Sequence, residues 1–507
     1  MSFISAVEKK FFGNHPRGLP MLFLSEFWER FSFYGMRALL VLYMIKAMKN
    51  PLTWDLFAEK DAYAVYGAYG ALVYAFPVLG GFLADRFLGY RRAIALGGIL
   101  MAIGHFLMAV PHPYIFFLAL AFLCVGNGFF KPNISSTVGK LYAPGDPRRD
   151  SGFTIFYMGI NFGAMLAPLI CGTLGETVSW HLGFSLAGIG MICGLIMFVK
   201  GQDRLEGKAE APNEELLHQR RFLGLQNIHL VWLGAILLTP FVALLLCFND
   251  VLGVLLDGLG VLILIILLTT AFRSPRVWKH RLLVLIVLMF FHIMFWAFFE
   301  QAGSSLTTLA DKHVDRVIGG VELKASQFQM VNPLFIVLLA PLFSMLWMKL
   351  GRLGRDPSTP LKFALAMFQI GLGFYILRLS YDSNDAGMIG VGWLISSYLL
   401  QTTGELCLSP VGLSAVTRLA PPKIVGFAMG AWFLTIAFAH HFAAQIAKLT
   451  TADGDGAQLL SHADKLKNYT DVFQLVAMMA AAAGVLLLIL TPILRRGMHE
   501  GVEAPEA

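Results

Sequence analysis

The sequence predicts an all-α membrane protein of about fourteen helices laid out as six, two and six, at about 20 apolar residues per crossing. Three observations predict it. The 507 residues are 57% hydrophobic and only 14% charged, with a mean hydropathy of +0.67, whereas a soluble domain carries about 25% charged residues. The apolar residues fall into long runs separated by short basic loops. The basic residues also alternate from loop to loop, as they do in a chain that crosses a bilayer repeatedly.

The first six spans run near 19–48, 61–85, 93–111, 113–139, 150–174 and 180–200. Basic clusters punctuate them: Arg86, Arg91 and Arg92 between the second and third, and Lys140, Arg148 and Arg149 between the fourth and fifth. A polar stretch from Gly201 to Asn227 follows. Two strongly apolar helices come next, near 228–248 and 251–272, joined by a tight turn at Asn249-Asp250. Six more lie near 282–310, 327–350, 361–380, 386–418, 424–449 and 468–494. The expected organisation is an amino-terminal bundle over 1–200, linkers and the extra pair over 201–281, and a carboxy-terminal bundle with a short tail over 282–507.

Orientation follows from lysine and arginine. With the amino terminus cytoplasmic, the inner loops hold about 26 of them and the outer loops about nine. Both termini are then expected inside, in a multi-pass membrane protein, and the extra helices come as a pair because an odd number would invert the second half. The first residues are polar and the first apolar run is too long for the core of a cleavable signal, so none is expected. The formal charge of +7 forms no single stripe and indicates no nucleic-acid partner. Cys124, Cys171, Cys193, Cys247 and Cys407 lie in apolar stretches without metal-ligand spacing and read as small core residues.

The first span is the informative one. It carries Glu26, Glu29, Arg30 and Arg37 inside an apolar helix. Ionisable groups at membrane depth are expensive unless they pair or line a wet cavity, so they mark ion or substrate paths. At about 100° per residue, positions 26, 29, 30, 34 and 37 fall within roughly 140° of one another. Few other ionisable residues lie in the spans: Lys131, Glu300, Glu405, Asp257, His105, His292, His440 and His441. Cations and carboxylates in the first half meet single glutamates on two helices of the second, and opposite charges divided between moving halves can form gates. The alternative is permanent ion pairing that holds helices together, an expensive way to build a scaffold. The histidines read better as hydrogen-bonded packing residues, because adjacent His440 and His441 cannot both face one path.

Several motifs resemble a known family. The run Gly80 to Arg92 is similar to the Gly-x-x-x-Asp-Arg-x-x-Gly-x-Arg-Arg loop of the major facilitator superfamily, and the segment from Lys349 to Lys362 is its basic counterpart in the second half. Glu26-Phe27-Trp28-Glu29-Arg30-Phe31, the run Phe153 to Gly163, and the surroundings of Lys131, Glu300, Asn332-Pro333 and Glu405 resemble the proton-coupled oligopeptide transporters of that superfamily, bacterial type. Phe33 departs from relatives that carry a second tyrosine beside Tyr34.

The resemblance implies the major facilitator fold, with two six-helix bundles plus two extra helices, and symport of di- and tripeptides with protons by alternating access. Arg37 and Lys131 would hold the peptide carboxylate, and Glu405, Asn161 and Asn332 its ammonium group. Tyr34, Tyr74, Tyr157 and Trp432 would line the cavity, with Tyr69 an alternative to Tyr74. Glu26, Glu29, Arg30 and Glu300 would serve proton coupling, and Arg37–Glu300 and Lys131–Glu405 would be gate pairs. Protons would be the coupling ion, with no cofactor and no metal, and a monomer would suffice. The rival within this fold is a carrier of nitrate, a drug or another organic anion. Enzymes and ATP-driven pumps are disfavoured, since neither His-Glu-x-x-His nor Gly-x-x-x-x-Gly-Lys-Ser/Thr occurs.

Overall fold

Apolar stretches of 20 residues and more leave their backbone polar groups no partner in hydrocarbon except their own helix, and the chain is helical almost throughout. The computed structural model describes residues 12–143, 145–451 and 460–499. Fourteen long helices stand among them. The first seven are α1 Gly18–Lys46, α2 Glu59–Leu83, α3 Gly89–Leu107, α4 Pro113–Lys140, α5 Arg149–Ala167, α6 Trp180–Gly201 and α7 Asn227–Cys247. The others are α8 Asn249–Arg273, α9 Arg276–Phe299, α10 Val331–Arg352, α11 Thr359–Leu379, α12 Val391–Leu419, α13 Val425–Lys448 and α14 His462–Gly497. Eleven helical segments are long and apolar enough to cross a membrane, one of them spanning α2 and α3 together. Only α1 and α12 fall outside that set, and they carry the buried charges of the sequence pattern and the polar run Gln401-Thr402-Thr403-Gly404-Glu405.

Contacts group the chain into two compact units. One holds 1–57 and 72–248, the other 58–71 and 249–507. Within the first, α1 packs on α5 and α6, α3 on α4 and α6, and α7 on α4. Within the second, α11 packs on α14 and α12, α9 on α13, and α8 on α9 and α13. The two extra helices are thus divided, α7 with the first unit and α8 with the second, the boundary falling at the Phe248–Asn249 turn. The first turns of α2 also belong with the second unit. There Glu59 pairs with Lys312, the Tyr63 hydroxyl lies 2.6 Å from Thr308 Oγ1, and Tyr469 donates to Glu59 at 3.1 Å.

Several boundaries depart from the sequence expectation; the third span lies at Gly89–Leu107 rather than near 93–111, and the twelfth begins at Val391 rather than near 386. The ninth span begins at Arg276 rather than near 282, because Arg276, Lys279 and Arg281 are good helix formers that extend the helix beyond its apolar core. The last begins at His462 rather than near 468, where Ser461 and Asp464 form a reciprocal capping box. The expected loop between the second and third spans is instead a helical turn, Ala84–Leu88. The chain changes direction at Gly89, whose φ of 71° lies in the left-handed region that a side chain disfavours.

The turn at Gly89 seats the linker after α6. A Cβ at Gly89 would stand 2.4 Å from the backbone nitrogen of Ala211. Beside it, Arg91 N–H donates to Ala209 O at 2.9 Å and the Arg91 guanidinium lies 3.0 Å from Glu210. Arg92 forks onto Glu214 at 2.8 and 3.2 Å and holds that carboxyl below its usual range. The polar stretch that reads as a plain linker is therefore clamped by the two arginines of the basic loop motif.

Gly89→Ala combines a left-handed backbone, worth about 1–2 kcal/mol for a non-glycine residue, with collision against the linker. We expect it to lower the midpoint of thermal unfolding of the detergent-solubilised protein, whereas Gly207→Ala, also at positive φ but with open space around it, should lower it less. Equal midpoints for the two variants would contradict the clamp.

Candidate functional site

In the first unit, α1, α2 and α4 converge on a buried charge cluster. Glu26, Glu29 and Arg30 are 2%, 0% and 3% exposed. Arg30 donates from Nε and Nη2 to the two oxygens of Glu29, the latter at 2.6 Å, and its Nε lies 3.3 Å from Glu26 Oε1. One guanidinium thus serves two carboxylates, using the fork that a lysine lacks. A longer contact of 3.5 Å joins Arg30 to Asn127 Oδ1, and the Asn127 amide donates to Val73 O at 3.0 Å, fixing α4 against α2. Glu26 Oε2 has no hydrogen-bond partner among the described residues. An unsatisfied buried carboxylate oxygen next to a shared cation can accept a proton without breaking an existing bond.

Lys131 is placed by its neighbours in sequence. Pro132 supplies no N–H to the Gly128 carbonyl one turn earlier, and a Cβ on Gly80 of α2 would stand 2.0 Å from that same oxygen. Backbone therefore meets backbone here, and the Asn133 amide donates to Phe129 O on its own helix at 2.7 Å and reaches Gly80 O of α2 at 3.5 Å. The Lys131 ammonium sits 4.2 Å from the centre of the Tyr74 ring, a cation–π contact that leaves its donors available. The sequence left Tyr69 and Tyr74 open. Tyr74 is half-buried against Lys131, while Tyr69 is buried, so Tyr74 is the one that joins the cluster.

Arg37 lies 5.7 Å from the ring of Tyr34, one turn earlier on α1, and both are half-buried. Phe33 stands edge-on to Tyr34 and beneath Arg30, 5.1 Å from its guanidinium carbon. It is buried and packs as a purely apolar ring. On α5, Tyr157 is 42% exposed, and Asn161 donates its amide to Tyr157 O at 2.9 Å. The oxygen of Asn161 is then the group it can offer a cation.

In the second unit, Asn332 on α10 donates to Glu405 Oε2 at 2.9 Å and to Thr402 Oγ1 at 3.0 Å, both on α12. Its amide hydrogens are spent on these two, so the pair presents oxygens: the rest of the Glu405 carboxylate and the Asn332 carbonyl. That is a cation-accepting arrangement. Glu300 caps α9 and is buried. Its Oε1 lies 3.7 Å from His440 Nε2, and the imidazole of His440 occupies the space a side chain on Gly70 would need. Trp432 is only 3% exposed.

The sequence reading missed His440 beside Glu300, having given the histidines a packing role. His105 does match the packing role, with Ser32 Oγ 2.5 Å from its Nε2. His441 meets Asp257 of α8 at 3.7 Å. All five cysteines are free thiols, and no cluster of metal-ligating side chains occurs among the described residues.

Two helical units, each with polar residues of its own buried in membrane-spanning helices, define a transporter of the major facilitator fold rather than an enzyme. The chain belongs to the POT family, whose model matches residues 91–459. It is 40% identical to the uncharacterized transporter YclF of Bacillus subtilis (strain 168), over 98% of each chain. It is 38% identical to the di-/tripeptide transporter of Lactococcus lactis subsp. lactis (strain IL1403), over 89% of this chain and 93% of that one. Among solved structures it is similar to a peptide transporter POT in complex with alafosfalin, with a TM-score of 0.81 at 38% identity, covering 96% of this chain and 97% of that one.

Removing the shared cation should expose its worth. Breaking a buried ion pair from one side costs roughly 3–5 kcal/mol, so Arg30→Met should depress the unfolding midpoint strongly. Arg30→Lys, which keeps the charge and loses the fork, should fall between that variant and the parent. A midpoint for Arg30→Met within a degree of the parent would show that Glu26 and Glu29 do not depend on Arg30.

Proposed function

We propose that this protein imports di- and tripeptides together with protons by alternating access. The observation that carries the reading is chemical complementarity to a zwitterion. The first unit offers cations on half-buried aromatic platforms, Arg37 by Tyr34 and Lys131 by Tyr74, and the second offers the acceptor pair Asn332–Glu405. A peptide has one carboxylate, one ammonium group and variable side chains between them. Arg37 and Lys131 hold its carboxylate, Arg37 bidentately and Lys131 as a point charge. Glu405, Asn332 and the Asn161 oxygen hold its ammonium group. Relatives named as di-/tripeptide transporters support this substrate class.

Glu26, Glu29 and Arg30 serve proton coupling, with Glu300 as the carboxylate of the second unit. A carboxylate kept ionised by a shared cation takes up a proton when that cation is drawn away. Arg37–Glu300 and Lys131–Glu405 act as gate pairs that substrate binding competes with, so that peptide biases the conformational equilibrium by differential contact. The loop charges put both termini in the cytoplasm of a cell with the protein in its inner membrane, and one chain suffices. A potential of about 100 mV supplies about 2.3 kcal/mol per charge and a pH unit about 1.36 kcal/mol. One proton therefore sustains a gradient of a neutral solute of a few hundredfold, which is enough for concentrative uptake.

Reconstituted protein should exchange labelled di-alanine in counterflow without a gradient and accumulate it with one. Glu26→Gln and Glu29→Gln should each lose accumulation, while exchange survives in at least one of them. Accumulation at the parent level in both variants would remove these carboxylates from coupling, and failure of the parent to exchange di-alanine would remove the peptide.

A further inference from the structure

A groove of about 370 Å³ runs down the first unit between α2, α4 and α7. Leu79, Leu83 and Phe87 form one wall, Val231 and Leu238 the other, and Phe129 the floor. Asn227 is the only polar side chain among the described lining residues, and its amide already donates to Leu216 O at 2.6 Å. Leu79 on the rim is 41% exposed, and only 22% of the apolar core of α7 is buried, so the groove lies beside hydrocarbon. From Phe87 and Asn227 at the basic-loop end to Phe76 and Leu238 at the other, it follows about 16 Å of helix at about 1.5 Å per residue. That is the depth of one leaflet in a hydrocarbon core of about 30 Å.

The mouth of the groove is basic. The short helix Glu214–His218 and α7 both pack on the turn Ala84–Leu88, and a tight hairpin joins them. Asn227 N–H donates to Gln219 O at 3.1 Å and Arg221 N–H to Leu225 O at 3.0 Å, which sets Arg220 and Arg221 at the foot of α7. Arg86 stands 5.7 Å from the ring of Phe87, the lining residue beside it. Arg91 and Arg92 are neutralised by Glu210 and Glu214, which leaves exposed Arg86, Arg220 and Arg221 against Asp85 and Glu215. Asp85 accepts the Tyr90 hydroxyl at 2.9 Å. Phe222, next to the two arginines, is 67% exposed, and at the foot of a span such a ring is sheltered by lipid headgroups rather than water.

We propose that the groove between α2, α4 and α7 binds one acyl chain of an anionic phospholipid, whose phosphate is held at the mouth by Arg86, Arg220 and Arg221. The apolar walls match a hydrocarbon chain of one leaflet's depth, and the surplus of arginine selects the sign of the headgroup. The lipid then seals the first extra helix, α7, to the bundle. The site is independent of which solute the protein carries.

Native mass spectrometry of the delipidated full chain in a neutral detergent tests it by titration with phosphatidylglycerol, phosphatidylcholine of the same chains, and glycerol 3-phosphate. Each arginine beside an anionic headgroup is worth roughly a fivefold change in affinity, so phosphatidylglycerol should bind at least about tenfold more tightly than phosphatidylcholine. Glycerol 3-phosphate, which lacks the chain, should not displace it. Gly234 lines the groove, and a Cβ there meets nothing within 4 Å, so Gly234→Leu should fill the groove and weaken phosphatidylglycerol binding about tenfold. Gly258→Leu on α8, at a glycine with equally open space, should leave it unchanged. Arg220→Gln/Arg221→Gln should bring phosphatidylglycerol close to phosphatidylcholine while altering the latter little. Equal affinities for the two lipids in the parent, or equal phosphatidylglycerol binding in Gly234→Leu and Gly258→Leu, would overturn the proposal. So would displacement by glycerol 3-phosphate, or a dimer lost in Gly234→Leu with lipid retained, which would make a second copy of the chain the occupant. If Gly234→Leu does not fold, the double arginine variant decides, and undiminished preference for phosphatidylglycerol there would overturn the site.

Discussion

A charge inside a membrane protein must find its partner inside the protein, and the structure is organised around that constraint. Arg30 is the clearest case. It is surrounded by apolar helix, is almost fully buried, and holds two carboxylates one and four residues away on its own helix. Because both partners are on α1, the cluster neutralises part of its charge without relying on any neighbouring helix. The neighbours then approach closely for other reasons: backbone contact at Gly80 and Gly128, and the Asn127 amide on Val73 O. Lys131 follows from that packing, since the proline after it and the glycines around it fix where its side chain emerges.

In the second unit Glu405 meets the same constraint through an amide donor, Asn332, and the Glu300 carboxylate stands 3.7 Å from the His440 imidazole. Neutral donors stabilise a buried carboxylate less than a guanidinium does. Glu405, held by an amide rather than a guanidinium, is therefore stabilised less than Glu29 is.

Much of this was legible in the sequence, for identifiable reasons. The helices were readable because hydrocarbon allows the backbone few alternatives, and their boundaries went astray by several residues where the signal left the apolar core, as at Arg276–Arg281 and at the Ser461 cap. The facing of Glu26, Glu29 and Arg30 followed from helical periodicity alone. What could not be read was anything that depended on which helices touch. The Glu210 and Glu214 clamp on Arg91 and Arg92 joins residues more than 110 apart, and the choice of Tyr74 over Tyr69 depended on where Lys131 lies. Trp432 is buried against Gly412 and His292, which lie on two other helices. Propensity has no access to such pairs.

The central claim is that buried carboxylates couple protons to peptide. It is tested most directly by letting peptide drive protons. Proteoliposomes containing the parent protein and a trapped pH-sensitive dye, at equal pH on both sides and with the membrane potential clamped by potassium and valinomycin, receive an inward gradient of di-alanine. Coupled symport predicts that the lumen acidifies when peptide is added, with no acidification by an equal concentration of alanine or in protein-free vesicles. Peptide entry measured in the same vesicles with no change in lumenal pH would contradict it.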